Sequence, residues 1–154
     1  MRFHLLMALA VGLFTWGEVS AVPNKPPKKE KDKGTKEIQG TWTVVSVEVA
    51  GRKVPEDALK DIKLIITADK LVSKRGDKIQ EESTYKVDRA KKPRQIDYIS
   101  IQGPNKGKTQ KAIYEREGDT LKIGQIMNGA ERPKNFSVKE EPNLIVLILK
   151  RAKS

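Results

Sequence analysis

Cysteine is absent from all 154 residues, and histidine occurs once, as His4 inside an apolar N-terminal stretch. The missing cysteine excludes a disulfide framework and a lipid-bearing N-terminal cysteine. If the N-terminal stretch is removed, the remaining chain has neither thiol nor imidazole. It then lacks the ligands of ordinary zinc sites and the groups of Ser-His-Asp or Cys-His catalysis. Long apolar runs are missing too. Beyond the N-terminal stretch the longest is "LIVLIL" at 144–149, far short of the ~20 residues that a membrane-spanning helix needs. No cofactor or metal is implied by what remains, and the expectation is a protein that is not an enzyme.

What is present begins with "MRFHLLMALAVGLFTWGEVSA". Arg2 supplies the positive start, Leu5 to Trp16 the apolar stretch, and Val19-Ser20-Ala21 a small-residue cleavage site. This is the pattern of a secretory signal peptide at 1–21. It leads to an expectation of export, periplasmic or extracellular, with no transmembrane segment after cleavage. The next segment, "VPNKPPKKEKDKGTKE" at 22–37, is rich in Lys and Pro with almost no apolar residues. It cannot bury enough surface to order itself and reads as a flexible leader. The domain proper is then 38–154.

Positive charge dominates, with 31 Lys and Arg against 20 Asp and Glu, a net +11. A basic surface attracts anionic partners, such as an anionic envelope polymer. Outside the leader, however, the signs alternate along the chain. That pattern serves solubility as readily as binding, and it implies no specific nucleic-acid partner.

From Thr41 onward apolar residues recur at every second position, in short runs separated by turn residues. Strands are expected at 41–49, 62–67, 70–75, 78–87, 95–101, 109–117, 120–126 and 143–150, with a helical turn at 55–61 opened by Pro55. Sequential strands with short connections favour an all-β, eight-stranded antiparallel up-and-down barrel, since closure removes exposed edges. In such a barrel the start of the first strand lies beside the end of the last. Trp42 should therefore close the barrel floor, with Arg151 or Lys150 over its ring.

One hairpin can be specified in detail. If Gly118-Asp119 is a two-residue turn, Glu115 pairs with Lys122 on the outside, while Tyr114, Leu121 and Ile123 point inward. The same alternation puts Ile79, Glu81, Ser83, Tyr85 and Val87 on one inner face and Ile96, Tyr98 and Ser100 on the next. A small barrel is ordinarily filled by its own side chains. Yet Tyr85, Tyr98, Tyr114, Ser83, Glu81, Ser100 and Gln110 would need partners inside: each other, or a bound molecule. Filled core and polar-lined cavity both remain open.

The "GTW" at 40–42 that opens the first strand resembles the lipocalin and fatty-acid-binding protein pattern, whose tryptophan sits at the closed end of a ligand-holding barrel. More closely, "QGTWTVVSVEVAGRKVPEDALK", "STYKVDRAKKPRQIDY", "GPNKGKTQKAIYEREGDTLKI" and "ERPKNFSVK…LIVLILKR" resemble a lipocalin-like, calycin-type domain family common in planctomycete bacteria. The resemblance runs in order over about residues 38–151. It implies a fold and a bacterial, extracytoplasmic setting, and no activity, ligand or site residue. The family often has a cysteine in the strand that here reads "LKIGQI"; Gly124 and the absence of cysteine remove any role for that thiol.

Other motifs are weaker. "GPNKGKT" at 103–109 is one residue short of a phosphate-binding loop and leads into a strand, so it reads as a hairpin loop. Glu81 and Glu82 are adjacent on a strand and point to opposite faces, so they cannot form a catalytic pair there. "ERPKNF" at 131–136 lies in the longest connection. Phe136 would cap the barrel while Arg132 pairs with an acid or stacks on an aromatic. Alternatively the two would form a lid over an anionic or amphipathic ligand. The leading expectation is an exported binding module holding a small amphipathic molecule in its mouth, through Tyr85, Tyr98, Tyr114, Ser83, Arg132 and Phe136. The competing one is a filled barrel that binds an anionic envelope polymer or a protein through its basic surface.

Overall fold

The computed structural model describes residues 34–153; the expected signal peptide and most of the expected leader lie outside the described residues. The alternating runs form β1 (Gly40–Val49), β2 (Arg52–Lys53), β3 (Ile62–Ile66), β4 (Lys70–Arg75), β5 (Lys78–Asp88), β6 (Arg94–Gln102), β7 (Thr109–Glu117), β8 (Thr120–Ile126) and β9 (Leu144–Arg151). A single turn of helix, α1 (Glu56–Leu59), follows Pro55 and turns Leu59 into the core. Every pairing is antiparallel. Each strand from β3 to β9 follows its neighbour, and β1 pairs with both β3 and β9, which closes an eight-stranded barrel.

Only β2 was not expected. It extends β1 as a hairpin through Glu48↔Lys53 and Val49↔Arg52. Ala50 and Gly51 both adopt positive φ, 50° and 79°, as a tight two-residue hairpin turn requires at both central positions. Alanine hides this turn from a sequence reading.

The Gly118-Asp119 hairpin has the expected register: Tyr114↔Ile123, Glu115↔Lys122 and Arg116↔Leu121. Tyr114, Leu121 and Ile123 are buried. Elsewhere bulges alter the register. Ser73 pairs with Glu81 but Lys74 pairs with Ile79, so one residue of β5 is left over. An extra residue reverses which face the following side chains occupy. Ile79 accordingly points outward and is 42% exposed, not inward as the simple alternation implies.

One end of the barrel is solidly filled. Trp42 is fully buried, lies opposite Arg151 in the β1–β9 pairing, and donates its indole N–H to the Ile38 carbonyl at 2.8 Å. The Arg151 guanidinium stands 4.3 Å from the ring centroid and donates to the Gln39 carbonyl at 2.8 Å. The "GTW" glycine has a steric purpose, because a Cβ on Gly40 would run into that guanidinium. Tyr114 donates to Glu37 at 2.8 Å, and Arg89 and Arg94 each lie 3.3 Å from the same carboxylate. Thr35 and Glu37, expected in the flexible leader, are thus packed parts of the floor. Glu37 is held there by one phenol and two guanidiniums, which offset the cost of taking its charge out of water.

Candidate functional site

The opposite end is hollow. A cavity of about 420 Å³ opens between the β6–β7 loop and the start of the β8–β9 connection. Its apolar wall is formed by Leu64, Leu71, Ile123 and Leu147, which are inward positions of β3, β4, β8 and β9. Facing them is a polar wall of Glu81, Ser83, Tyr98, Gln110 and Gln125, with Asn105 and Lys108 at the rim. Strand alternation turns both sets inward. The division arises because the inward positions here are polar on β5, β6 and β7 and mainly apolar on β3, β4, β8 and β9.

Most of the polar wall satisfies itself. The Tyr98 hydroxyl of β6 donates over the intervening β7 to Gln125 Oε1 of β8. Gln110 Nε2 donates to the Ile126 carbonyl at 3.2 Å, and Asn105 Nδ2 to Glu81 Oε2 at 3.0 Å. Burial holds the Tyr98 phenol well above its ordinary ionisation range; the nearby Glu81 carboxylate pushes the same way, and the Gln125 hydrogen bond opposes. Tyr98 is therefore a neutral donor. Ser83 is the exception: 1% exposed, it carries, among the described residues, a buried hydroxyl with no hydrogen-bond partner. Buried polar groups are normally paired, and leaving one unpaired costs about 1–3 kcal/mol.

Of the six residues expected to hold a ligand, Ser83 and Tyr98 line the cavity. Tyr85 and Tyr114 face inward as expected but belong to the filled end. Tyr85 donates to the Thr67 carbonyl at 2.5 Å in the β3–β4 turn, and Tyr114 to Glu37.

Arg132 and Phe136 do not cap the mouth. The β8–β9 connection begins there but folds back along the outer wall. Arg132 donates to the Ala112 carbonyl at 2.7 Å and to Asp97 Oδ1 at 2.6 Å. Phe136 lies over Gly124 beside Ile113, with the Lys122 ammonium 4.4 Å from its ring centroid. The cause is the space that Gly124 leaves: a Cβ there would meet the Phe136 ring at 3.0 Å. Beside this strap, towards the closed end, a second cleft of about 820 Å³ runs over the outer surface, with Lys91, Lys92, Arg116 and Lys122 along it.

Sequence reasoning missed Gln125, Asn105 and Lys108. Gln125 was open to inference, because it continues the inward series Leu121, Ile123 of β8. Asn105 and Lys108 sit in the "GPNKGKT" loop. Strand parity alone places that loop at the end opposite Trp42, once β1 is known to start at the floor.

Among the described residues no group of three or more His, Cys, Asp or Glu side chains could hold a metal ion. Among them, too, no helix is long and apolar enough to cross a membrane. No family model, no curated protein and no solved structure matches the chain.

Proposed function

We propose that the chain is an exported, non-enzymatic binding module that holds a small amphipathic molecule in the open half of its barrel. The observation that carries this reading is the 420 Å³ cavity with the unpartnered Ser83 hydroxyl in its wall. Small-molecule sites occupy roughly 300–1,000 Å³ and combine apolar walls with a few convergent polar groups. Export rests on the N-terminal pattern of Arg2, apolar stretch and Val19-Ser20-Ala21. The resemblance to the lipocalin-like family of planctomycetes agrees with that setting.

The test uses octanol as a neutral amphipathic probe, titrated by calorimetry at physiological and at high salt. Burial of an alkyl chain depends little on ionic strength, so similar affinities are expected. Ser83→Trp, which fills the cavity, should abolish binding, and removal of residues 22–33 should leave it unchanged. Absence of binding to the native protein, or binding that survives Ser83→Trp, would overturn the reading.

A second reading has its own observation, the outer cleft with Lys91, Lys92, Arg116 and Lys122. These cations suit an anionic envelope component. Such binding is screened, because the Debye length falls from ~8 Å at physiological salt to ~3 Å at 1 M. Under this reading a polyanion such as polyphosphate binds the native protein, and high salt removes it.

A further inference from the structure

The polar wall of the cavity is asymmetric in charge. Glu81 is half-buried in it, whereas Lys108, the cation of the same lining, is exposed at the rim. Among the described residues no Lys or Arg stands within ion-pair distance of Glu81; the ion pairs made by neighbouring strands, such as Lys70–Glu82, lie on the outer face. The β5 geometry explains this separation. Adjacent residues point to opposite faces, so Glu82 meets Lys70 outside while Glu81 is left inside. Asn105 satisfies one Glu81 oxygen and carries no charge to balance it.

Two residues further along β5 on the same face is the unpartnered Ser83 hydroxyl, opposite Ser100 in the β5–β6 pairing. The neutral phenol of Tyr98, two residues from Ser100 on β6, lines the same cavity. A carboxylate half-buried in a cavity acts over several ångströms with less screening than a fully exposed surface charge. It raises the cost of placing a second negative charge there and lowers that of a positive one.

Building on the ligand-carrier reading above, we infer that the cavity selects amphiphiles with a cationic, amine-type head group over those with a carboxylate. The ammonium is held by Glu81 near the mouth, and the alkyl part lies against Leu64, Leu71, Ile123 and Leu147. This selectivity opposes the net charge of +11, which by itself attracts anions. It is therefore a property of the inner wall, independent of the protein's overall field.

The experiment compares octylamine, octanoate and octanol by calorimetry at neutral pH and physiological salt, on the native protein, Glu81→Gln and Lys63→Gln, the last an exposed outer-face lysine of β3. Octylamine is expected to bind about ten-fold more tightly than octanoate, a modest local charge effect. Glu81→Gln keeps the side-chain shape and an acceptor for Asn105, and should remove that preference while octanol binding persists. Lys63→Gln, which removes a positive charge outside the cavity, should leave the preference in place. If octanol binds but octanoate binds as tightly as octylamine, or if the preference survives Glu81→Gln, the head-group selectivity is overturned and the carrier reading stands. If none of the three binds, both are overturned.

Discussion

Tyr85 and Tyr98 stand directly opposite each other in the β5–β6 pairing, yet their hydroxyls reach toward opposite ends of the barrel. Tyr85 donates to the Thr67 carbonyl in the β3–β4 turn, and Tyr98 donates to Gln125 near the mouth. This pair marks the level at which the interior changes from filled to hollow. Below it Trp42, Tyr114 and Ile38 pack solidly; above it the wall encloses the cavity. The filled core and the polar cavity are both present, one at each end.

Trp42→Ala should destabilise the protein by ~3–5 kcal/mol, the usual cost of truncating a large buried aromatic. Arg151 and the Ile38 carbonyl would lose their partner as well. Urea unfolding of protein lacking residues 1–21 measures this directly. Its fluorescence, which then comes from Trp42 alone, should peak at short wavelength until the transition.

Ser83→Ala tests the unpartnered hydroxyl. Removing a buried polar group that has no partner relieves a desolvation cost. The variant should be as stable as the native protein, or more so by up to ~1 kcal/mol. A loss of stability of a large buried hydrogen bond would show that Ser83 has a partner.

Gly124 and Phe136 should behave as a coupled pair. Gly124→Ala places a methyl group 3.0 Å from the Phe136 ring and 3.2 Å from Ile113, and overpacking of this kind costs ~1–3 kcal/mol. In a Phe136→Ala background the same substitution should cost much less, and a double-mutant cycle on unfolding free energies reads the difference.

The sequence made the strands, the closure and the Trp42–Arg151 floor legible, because each rests on local periodicity or on topology that eight sequential strands enforce. Ile79 was misplaced because a bulge is set by the pairing of two strands, which neither strand's sequence reveals alone. Arg132 and Phe136 were misplaced for a different reason. Their loop does start at the mouth, but the gap left by Gly124 and the acceptors Asp97 and Ala112 O draw it down the outer wall. Most of the cavity's polar wall was visible as inward-facing Glu81, Ser83, Tyr98 and Gln110, which strand alternation alone places inside. Glu37 was hidden in a segment whose composition reads as solvated, since its value lies in long-range contacts with Arg89, Arg94 and Tyr114.

The tyrosines set the alkaline limit of stability. All three are held above the ordinary value of 10.0, in each case with burial as the largest cause. The folded state therefore binds more protons than the unfolded state above pH 10, and stability falls as pH rises through that region. Below it the contribution is fully present. Alkaline titration should show little phenolate absorbance near pH 10 in the folded protein, followed by a rise that coincides with loss of β-structure. Independent ionisation at pH 10 with the fold intact would contradict these assignments.

The division of the barrel into a filled floor and a receptive open half is tested most directly by amide chemical-shift mapping with octanol. The account predicts saturable shifts concentrated at Ser83, Tyr98, Gln110 and Gln125, with Trp42, Tyr114 and the Phe136 strap unchanged. Shifts confined to the outer wall, or no saturable shift at the cavity residues, would contradict it.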